Sequence, residues 1–327
     1  MNPVVLYLDK ISAPMEQLAM DTIASDTIDL KFLNPTSGPK GTLEEAHYVL
    51  ATNFLVTREV MDQAKNLKMI QRTGVGYDNI DVEYATSQGL PLSITLGTNA
   101  SSVAELVVLF MLGLYRKLIP LDRQSKTGVW DSWKYRHVSY ELLGKTVGIV
   151  GSGIIGREVM KRLAPFGVKL VYYDIKRLPA EMEAELGICY RSLEDLLSES
   201  DIVTLHVPWL EATRNMISRE RIAMMKPGAV LINTARGPVV DEKALIAALK
   251  EGRISGAGLD VFDPEPFTPD SEIVKLDNVI TTPHVGAATL DNFQRVFTFC
   301  AANIGRAERG ETLENVVNGI ERARSAF

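Results

Sequence analysis

Thr146-Val147-Gly148-Ile149-Val150-Gly151-Ser152-Gly153-Ile154-Ile155-Gly156 is the stretch from which the rest of the chain can be read. Residues 146–150 form a short, β-branched apolar run of the kind that makes a buried strand. The pattern G-x-G-x-x-G follows at once, and a helical pattern continues from Arg157. In that strand–turn–helix setting each glycine has a task. Gly151 permits the tight turn, Gly153 lets the backbone approach a pyrophosphate, and Gly156 lets helix and strand pack closely. The helix opens at Ile154 and Ile155, where free N–H groups and the positive end of the dipole suit phosphates. The next strand run, 169–173, ends in Asp174, roughly 20 residues beyond the glycines, where a ribose-binding acid belongs. The plain alternative for Asp174 is a solvated carboxylate at a strand end. An acid there accepts ribose hydroxyls and repels a 2′-phosphate, which points to NAD; Lys176 and Arg177 nearby keep NADP open.

Outward from this motif, short apolar runs alternate with helical patterns along the whole chain. Strands are expected at 4–8, 48–51, 68–72, 169–173, 202–207, 229–233, 256–261 and 279–282, with helices at 15–24, 101–117, 155–166, 193–197 and 242–250. Such alternation reads as βαβ units, hence an α/β fold of doubly wound parallel sheets. Two places look like domain crossings: Gly97-Thr98-Asn99-Ala100, ahead of the long apolar helix, and the neighbourhood of Gly286. Ser101 or Ser102 is a candidate cap for that helix, and Glu105 completes a capping box with Ser102. The expected organisation is one domain of residues 1–99 and 288–327, with a second, 100–287, inserted into it.

Composition narrows the class of function. The chain has 327 residues, 46% hydrophobic and 23% charged, so it should bury a real core rather than remain disordered. Lys and Arg number 35 against 41 Asp and Glu, a net charge of −6, which argues against nucleic acid or an anionic membrane as partner. Two cysteines, Cys189 and Cys300, make no disulfide framework, and no Cys/His cluster has zinc spacing, so no metal is expected. The first ten residues lack a basic region followed by an apolar one, so no signal peptide is expected and the cytoplasm is the anticipated location.

Chemistry should gather at the carboxyl ends of the strands. Of four histidines, His206 ends one strand and His284 follows another, so either is a candidate acid–base; His47 and His137 read as loop residues. Arg236 lies just past the run 230–233. Glu265, in Asp263-Pro264-Glu265-Pro266, lies just past Gly258-Leu259-Asp260-Val261-Phe262. Taken singly, Arg236 reads as a surface salt bridge and Glu265 as a solvated turn. Their convergence on strand ends of the nucleotide-binding segment raises both.

These residues, with Arg72-Thr73-Gly74-Val75-Gly76-Tyr77-Asp78-Asn79-Ile80-Asp81, Leu205-His206-Val207-Pro208, Ile232-Asn233-Thr234-Ala235-Arg236-Gly237 and Thr282-Pro283-His284-Val285-Gly286, run in family order across nearly the whole chain. The sequence resembles the D-isomer-specific 2-hydroxyacid dehydrogenases. The resemblance implies a Rossmann cofactor domain inserted into a flavodoxin-like substrate domain, with a cleft between them. It implies hydride transfer between NADH and a small 2-oxo acid: glyoxylate, hydroxypyruvate or 3-phosphohydroxypyruvate. It makes His284 the acid–base, with Arg236 and Glu265 as its partners. His206, Val207, Pro208, Thr213, Thr234, Ala235, Asp260 and Gly286 match cofactor-lining positions. Val75 and Gly76 match the loop whose amides meet the substrate carboxylate. Arg72, beside that loop, either meets a substrate phosphate or pairs with a surface acid. The family often dimerises through the cofactor domain, and the apolar 101–117 helix with Trp130 and Trp133 suits a homodimer. A rival reading remains: corepressor-like or regulatory NAD-binding proteins of the same fold keep these residues with little turnover.

Overall fold

Twelve strands, every one of them paired in parallel, form two sheets in the computed structural model, which describes residues 2–268 and 270–324. The first sheet contains β1 (Val4–Tyr7), β2 (Asp29–Phe32), β3 (Tyr48–Ala51), β4 (Met69–Arg72) and β5 (Leu92–Ser93), in the order β2-β1-β3-β4-β5. The second contains β6 (Thr146–Val150), β7 (Lys169–Tyr173), β8 (Ile188–Tyr190), β9 (Ile202–Leu205), β10 (Val230–Asn233), β11 (Gly256–Leu259) and β12 (Val279–Thr281). Its order is β12-β11-β10-β9-β6-β7-β8. The first order is that of flavodoxin-like folds and the second that of the Rossmann fold, so the α/β, doubly wound expectation holds for both.

The chain divides into two compact units, residues 1–99 with 289–327, and residues 100–288. In the first unit, Val5, Tyr7, Leu30, Phe32, Tyr48 and Leu50 face a core completed by Ala19 and Ile23 of helix Ala13–Ile23 and by Val296, Phe297, Cys300 and Ile304 of helix Leu290–Glu308. In the second, helix Ala100–Tyr115 and helix Ile154–Leu163 cover one face of the sheet through Val107, Phe110, Met111, Val159, Met160 and Leu163. Helices Leu193–Glu199 and Glu242–Lys250 cover the other. Strands buried on both faces need continuous apolar runs, which is why β3, β6, β9 and β10 were readable.

Several local expectations are corrected. The long helix begins at Ala100, so Ser101 and Ser102 lie inside its first turn rather than at its cap. Ser101 Oγ instead meets Nη2 of Arg162 at 2.6 Å and Glu105 at 3.3 Å. The helix ends at Tyr115, and Lys117 adopts a left-handed conformation that breaks the run. The strands expected to reach 207 and 261 stop at Leu205 and Leu259. Among the described residues, no helix is long and apolar enough to cross a membrane.

Candidate active site and cofactor cradle

The topological switch point of the second unit lies between β6 and β9, where the chain leaves in opposite directions and a crevice opens at the strand ends. The glycine loop sits there. A Cβ on Gly156 would lie 2.1 Å from the Gly151 carbonyl oxygen, so only glycine lets the helix start this close to the strand end. Gly153 differs: a Cβ there would meet nothing within 4 Å, so packing within the chain does not require a glycine. The open space and the acceptor-less first amides of helix Ile154–Leu163 are what a pyrophosphate needs. Asp174 Oδ2 accepts from the Ser152 amide at 2.7 Å and its hydroxyl at 2.9 Å, which ties the end of β7 to the glycine loop. Thr234 Oγ1 is buried and has no partner among the described residues. These features fit a dinucleotide.

The two candidate histidines have opposite surroundings. The His206 ring bonds Thr204 Oγ1 at 3.0 Å, and burial pushes its pKa down to about 3. A ring held neutral in that way cannot donate a proton near neutrality. Thr213 Oγ1 donates to the Pro208 carbonyl at 2.7 Å and accepts from the Leu210 amide at 2.8 Å, which knots the loop that follows Val207. His284 is half-exposed, and its Nδ1 lies 2.6 Å from Glu265 Oε2. The other Glu265 oxygen accepts from the Phe262 amide at 2.9 Å. Burial pushes the Glu265 carboxyl up. The hydrogen bonds from His284 and Phe262 and the charges of His284 and Arg236 outweigh it and hold the group below its ordinary value.

Arg236 reaches this neighbourhood because of the glycine after it. A Cβ on Gly237 would lie 2.0 Å from the Phe262 carbonyl oxygen, so the Arg236 turn rests directly on the backbone that leads to Glu265. Asn233, itself buried, shapes the turn: its Nδ2 donates to the Arg236 carbonyl at 2.9 Å, and its Oδ1 accepts from the Ala235 amide at 3.0 Å. Arg236 Nη1 donates to the Ala235 carbonyl at 2.7 Å. Asp260, only 1% exposed, shapes the His284 loop. It accepts from Thr282 Oγ1 at 2.5 Å, the Val285 amide at 2.8 Å and the Gly286 amide at 2.8 Å, while its carbonyl accepts from the His284 amide at 2.9 Å. The sequence marked Asp260 and Gly286 as cofactor neighbours. It gave no sign that each is tied to the other.

In the first unit, a loop follows β4. Arg72 Nε donates to the Gly76 carbonyl at 2.7 Å and Nη1 to the Ala51 carbonyl at 3.1 Å, so its fork wraps the loop. Neither sequence alternative, phosphate ligand or surface ion pair, anticipated this brace. The amides of Val75 and Gly76 make no hydrogen bond among the described residues. Asn79 Nδ2 donates to the Phe54 carbonyl at 2.7 Å, and Asp9 accepts from the amides of Thr52, Asn53 and Phe54, which fixes the adjacent loop.

Set beside known proteins, residues 108–286 match the D-isomer specific 2-hydroxyacid dehydrogenase NAD binding domain. That is more than half of the chain. The chain belongs to the D-isomer-specific 2-hydroxyacid dehydrogenase family. It is similar to a glyoxylate reductase of Thermococcus litoralis, 42% identical over 295 residues, covering 87% of this chain and 88% of the relative. It is also similar to a hydroxypyruvate reductase of Thermotoga maritima, 44% identical over 243 residues, covering 74% and 78%. Among solved structures, a D-lactate dehydrogenase of Aquifex aeolicus complexed with NAD and lactic acid superposes with a TM-score of 0.79 at 31% identity, over 96% of this chain and 99% of that one. This dehydrogenase is therefore an NAD-dependent oxidoreductase of 2-hydroxy acids.

Proposed function

We propose that the protein reduces glyoxylate or hydroxypyruvate, with His284 as acid–base, Glu265 as its orienting partner and Arg236 as the substrate's anchor. The observation that carries this reading is the 2.6 Å bond between His284 Nδ1 and Glu265, with the Arg236 turn packed on the same backbone. A 2-oxo acid carries a carboxylate beside its reactive carbonyl. The planar fork of Arg236 suits a bidentate carboxylate contact and helps polarise the carbonyl, which a lysine would do less well. When bound, NADH supplies the hydride that reaches C2 of the substrate. His284 then donates its Nε2 proton to the oxygen on which negative charge develops; in the oxidative direction the neutral ring takes that proton back. Glu265, kept ionised, fixes the ring orientation through Nδ1.

For the cofactor we propose Gly151, Gly153, Ile154, Ile155 and Gly156 at the pyrophosphate and Asp174 at the ribose. His206, Val207, Pro208, Thr213, Thr234, Ala235, Asp260 and Gly286 line the rest. Val75 and Gly76 are proposed as amide donors to the substrate carboxylate. With the Arg72 fork braced on two backbone carbonyls, the unphosphorylated acids are favoured over 3-phosphohydroxypyruvate.

A homodimer completes the proposal. Trp130 and Trp133 are 92% and 72% exposed, and Leu109, Leu118, Ile119 and Val129 are exposed as well. An apolar surface of that extent suits a second copy of the chain, so sedimentation should give twice the chain mass; a monomer at micromolar concentration contradicts it. The cytoplasm is the proposed compartment.

The enzymatic test is NADH consumption with glyoxylate, hydroxypyruvate, 3-phosphohydroxypyruvate, pyruvate and phenylpyruvate, in wild type and His284→Ala. Glyoxylate or hydroxypyruvate should turn over fastest, and the variant should lose about 10³-fold in kcat. Equal turnover in His284→Ala removes His284 from the chemistry. Fastest turnover of the phosphorylated acid removes the reading of Arg72.

A further inference from the structure

The turn that follows β7 carries Lys176 and Arg177, and a cation at this point of a Rossmann fold is what a 2′-phosphate needs. In the structure the Arg177 fork is already engaged. Its Nε and Nη2 each donate to a different oxygen of Glu183, both at 2.8 Å, and its guanidinium lies over the Tyr190 ring, 5.5 Å from the centroid. Glu183 comes from helix Ala180–Leu186 and is fixed from behind: its Oε1 accepts from the buried Tyr172 hydroxyl at 2.6 Å. That hydroxyl in turn accepts from the Leu178 amide at 2.8 Å. The Glu183 side chain is 11% exposed and that of Arg177 64%, so the carboxylate is seated and the cation is drawn onto it. Hydrogen bonds from Arg177 and Tyr172 hold the Glu183 carboxyl down to about 2, so the pair stays charged across the working pH range.

We infer that Glu183 is a cofactor-specificity residue: it sequesters the one arginine of the ribose-side turn, and so leaves Asp174 to select the unphosphorylated ribose. The inference rests on the reading of Asp174 as the ribose ligand. Asp174 acts by repelling a 2′-phosphate, and Glu183 acts by withholding the donor fork that would bind one. A bidentate pair with a seated carboxylate holds both donors of Arg177 at once. A 2′-phosphate has to break both to recruit them. If the pair served only to staple the turn, its loss would weaken both cofactors alike.

The test is fluorescence titration of the purified protein with NADH and with NADPH, which reads binding without any substrate. Wild type should bind NADH more tightly. Glu183→Ala should tighten NADPH about tenfold, the worth of one charge-assisted hydrogen bond, and leave NADH within about twofold. Glu183→Gln, which preserves the Tyr172 contact, should move in the same direction and serves where the alanine variant does not fold. In Glu183→Ala/Arg177→Ala the gain should vanish. An unchanged NADPH affinity in both single variants overturns the inference, and so does a gain of equal size with Arg177 absent, since that assigns it to charge alone. A wild type that binds both cofactors equally sinks the Asp174 reading instead, and the inference with it.

Discussion

Asp260 of the second unit and Asp9 of the first do the same thing in different surroundings. Asp260 follows directly on β11 and Asp9 lies two residues past β1, and each carboxylate gathers donors from the loop after the neighbouring strand, β12 or β3. Asp260 takes Thr282, Val285 and Gly286; Asp9 takes Thr52, Asn53 and Phe54. Asp174 repeats the device with Ser152 across β7 and β6. Parallel strands present their loops side by side at one edge, so a short acid at one strand end reaches the amides of the next. The difference is water. Asp260 is buried and Asp9 is only partly so. A lost bond at Asp9 can be replaced by solvent, whereas the buried Gly286 amide at Asp260 has nothing to turn to.

That difference sets the largest expected effect. Asp260→Ala strands the buried Gly286 amide, strips the part-buried Thr282 hydroxyl and Val285 amide of their acceptor, and should cost about 3–5 kcal/mol of stability, the range for breaking a buried charged contact. Because the same loop carries His284, the surviving folded enzyme should also lose about 10²-fold in kcat, as expected for a displacement of about 1 Å in a reacting group. Urea unfolding reads the first effect and NADH consumption the second. Loss of stability with normal kcat would mean that the loop holds His284 without Asp260.

Glu265→Gln sharpens the comparison by acting on the ring rather than on the loop. It keeps the size of the side chain and an acceptor for Phe262, so stability should change little. The His284 charge helps to lower the Glu265 carboxyl. The amide loses the carboxylate's charge while it still reaches Nδ1, so kcat should fall about tenfold, the worth of one charge-assisted hydrogen bond. An unchanged kcat would show that the carboxylate does not act on the ring.

How far the sequence revealed these regions follows from what holds each of them. The glycine loop was legible because sterics alone dictate it: Gly156 touches Gly151, and both lie in one motif. The core strands were legible because burial on both faces demands apolar runs. Strands β5 and β8, of two and three residues, carry too little pattern to read, and β2 alternates Asp29 and Lys31 with Leu30 and Phe32 instead of forming a continuous apolar run. On the residues alone the choice between His206 and His284 was open, because their sequence positions are alike; the family resemblance chose His284, and in the structure the two rings differ in burial. The braces of Arg72 and Asp9, and the Arg177–Glu183 pair, depend on groups brought together by the sheet or by a helix turning back on it. No local pattern announces them. Proximity across neighbouring strands is set by strand order, and the order itself had to be known first.

Asp9→Asn is the mildest way to break the comparison, and the one that isolates water as the cause. The amide keeps one acceptor oxygen and loses the charge, and the freed backbone donors of residues 52–54 lie where solvent can reach them. The expected cost is about 1 kcal/mol, the net worth of an ordinary hydrogen bond. The loop also retains Asn79, which donates to the Phe54 carbonyl independently of Asp9. Hydrogen exchange of the amides of Thr52, Asn53 and Phe54 should speed up by about fivefold, which corresponds to that cost at 25 °C. The amides of Val285 and Gly286, held by the untouched Asp260, should exchange as in wild type. A cost at Asp9→Asn as large as at Asp260→Ala would mean that burial does not set the strength of these acid-held loops, and that the geometry of three donors on one carboxylate is enough by itself.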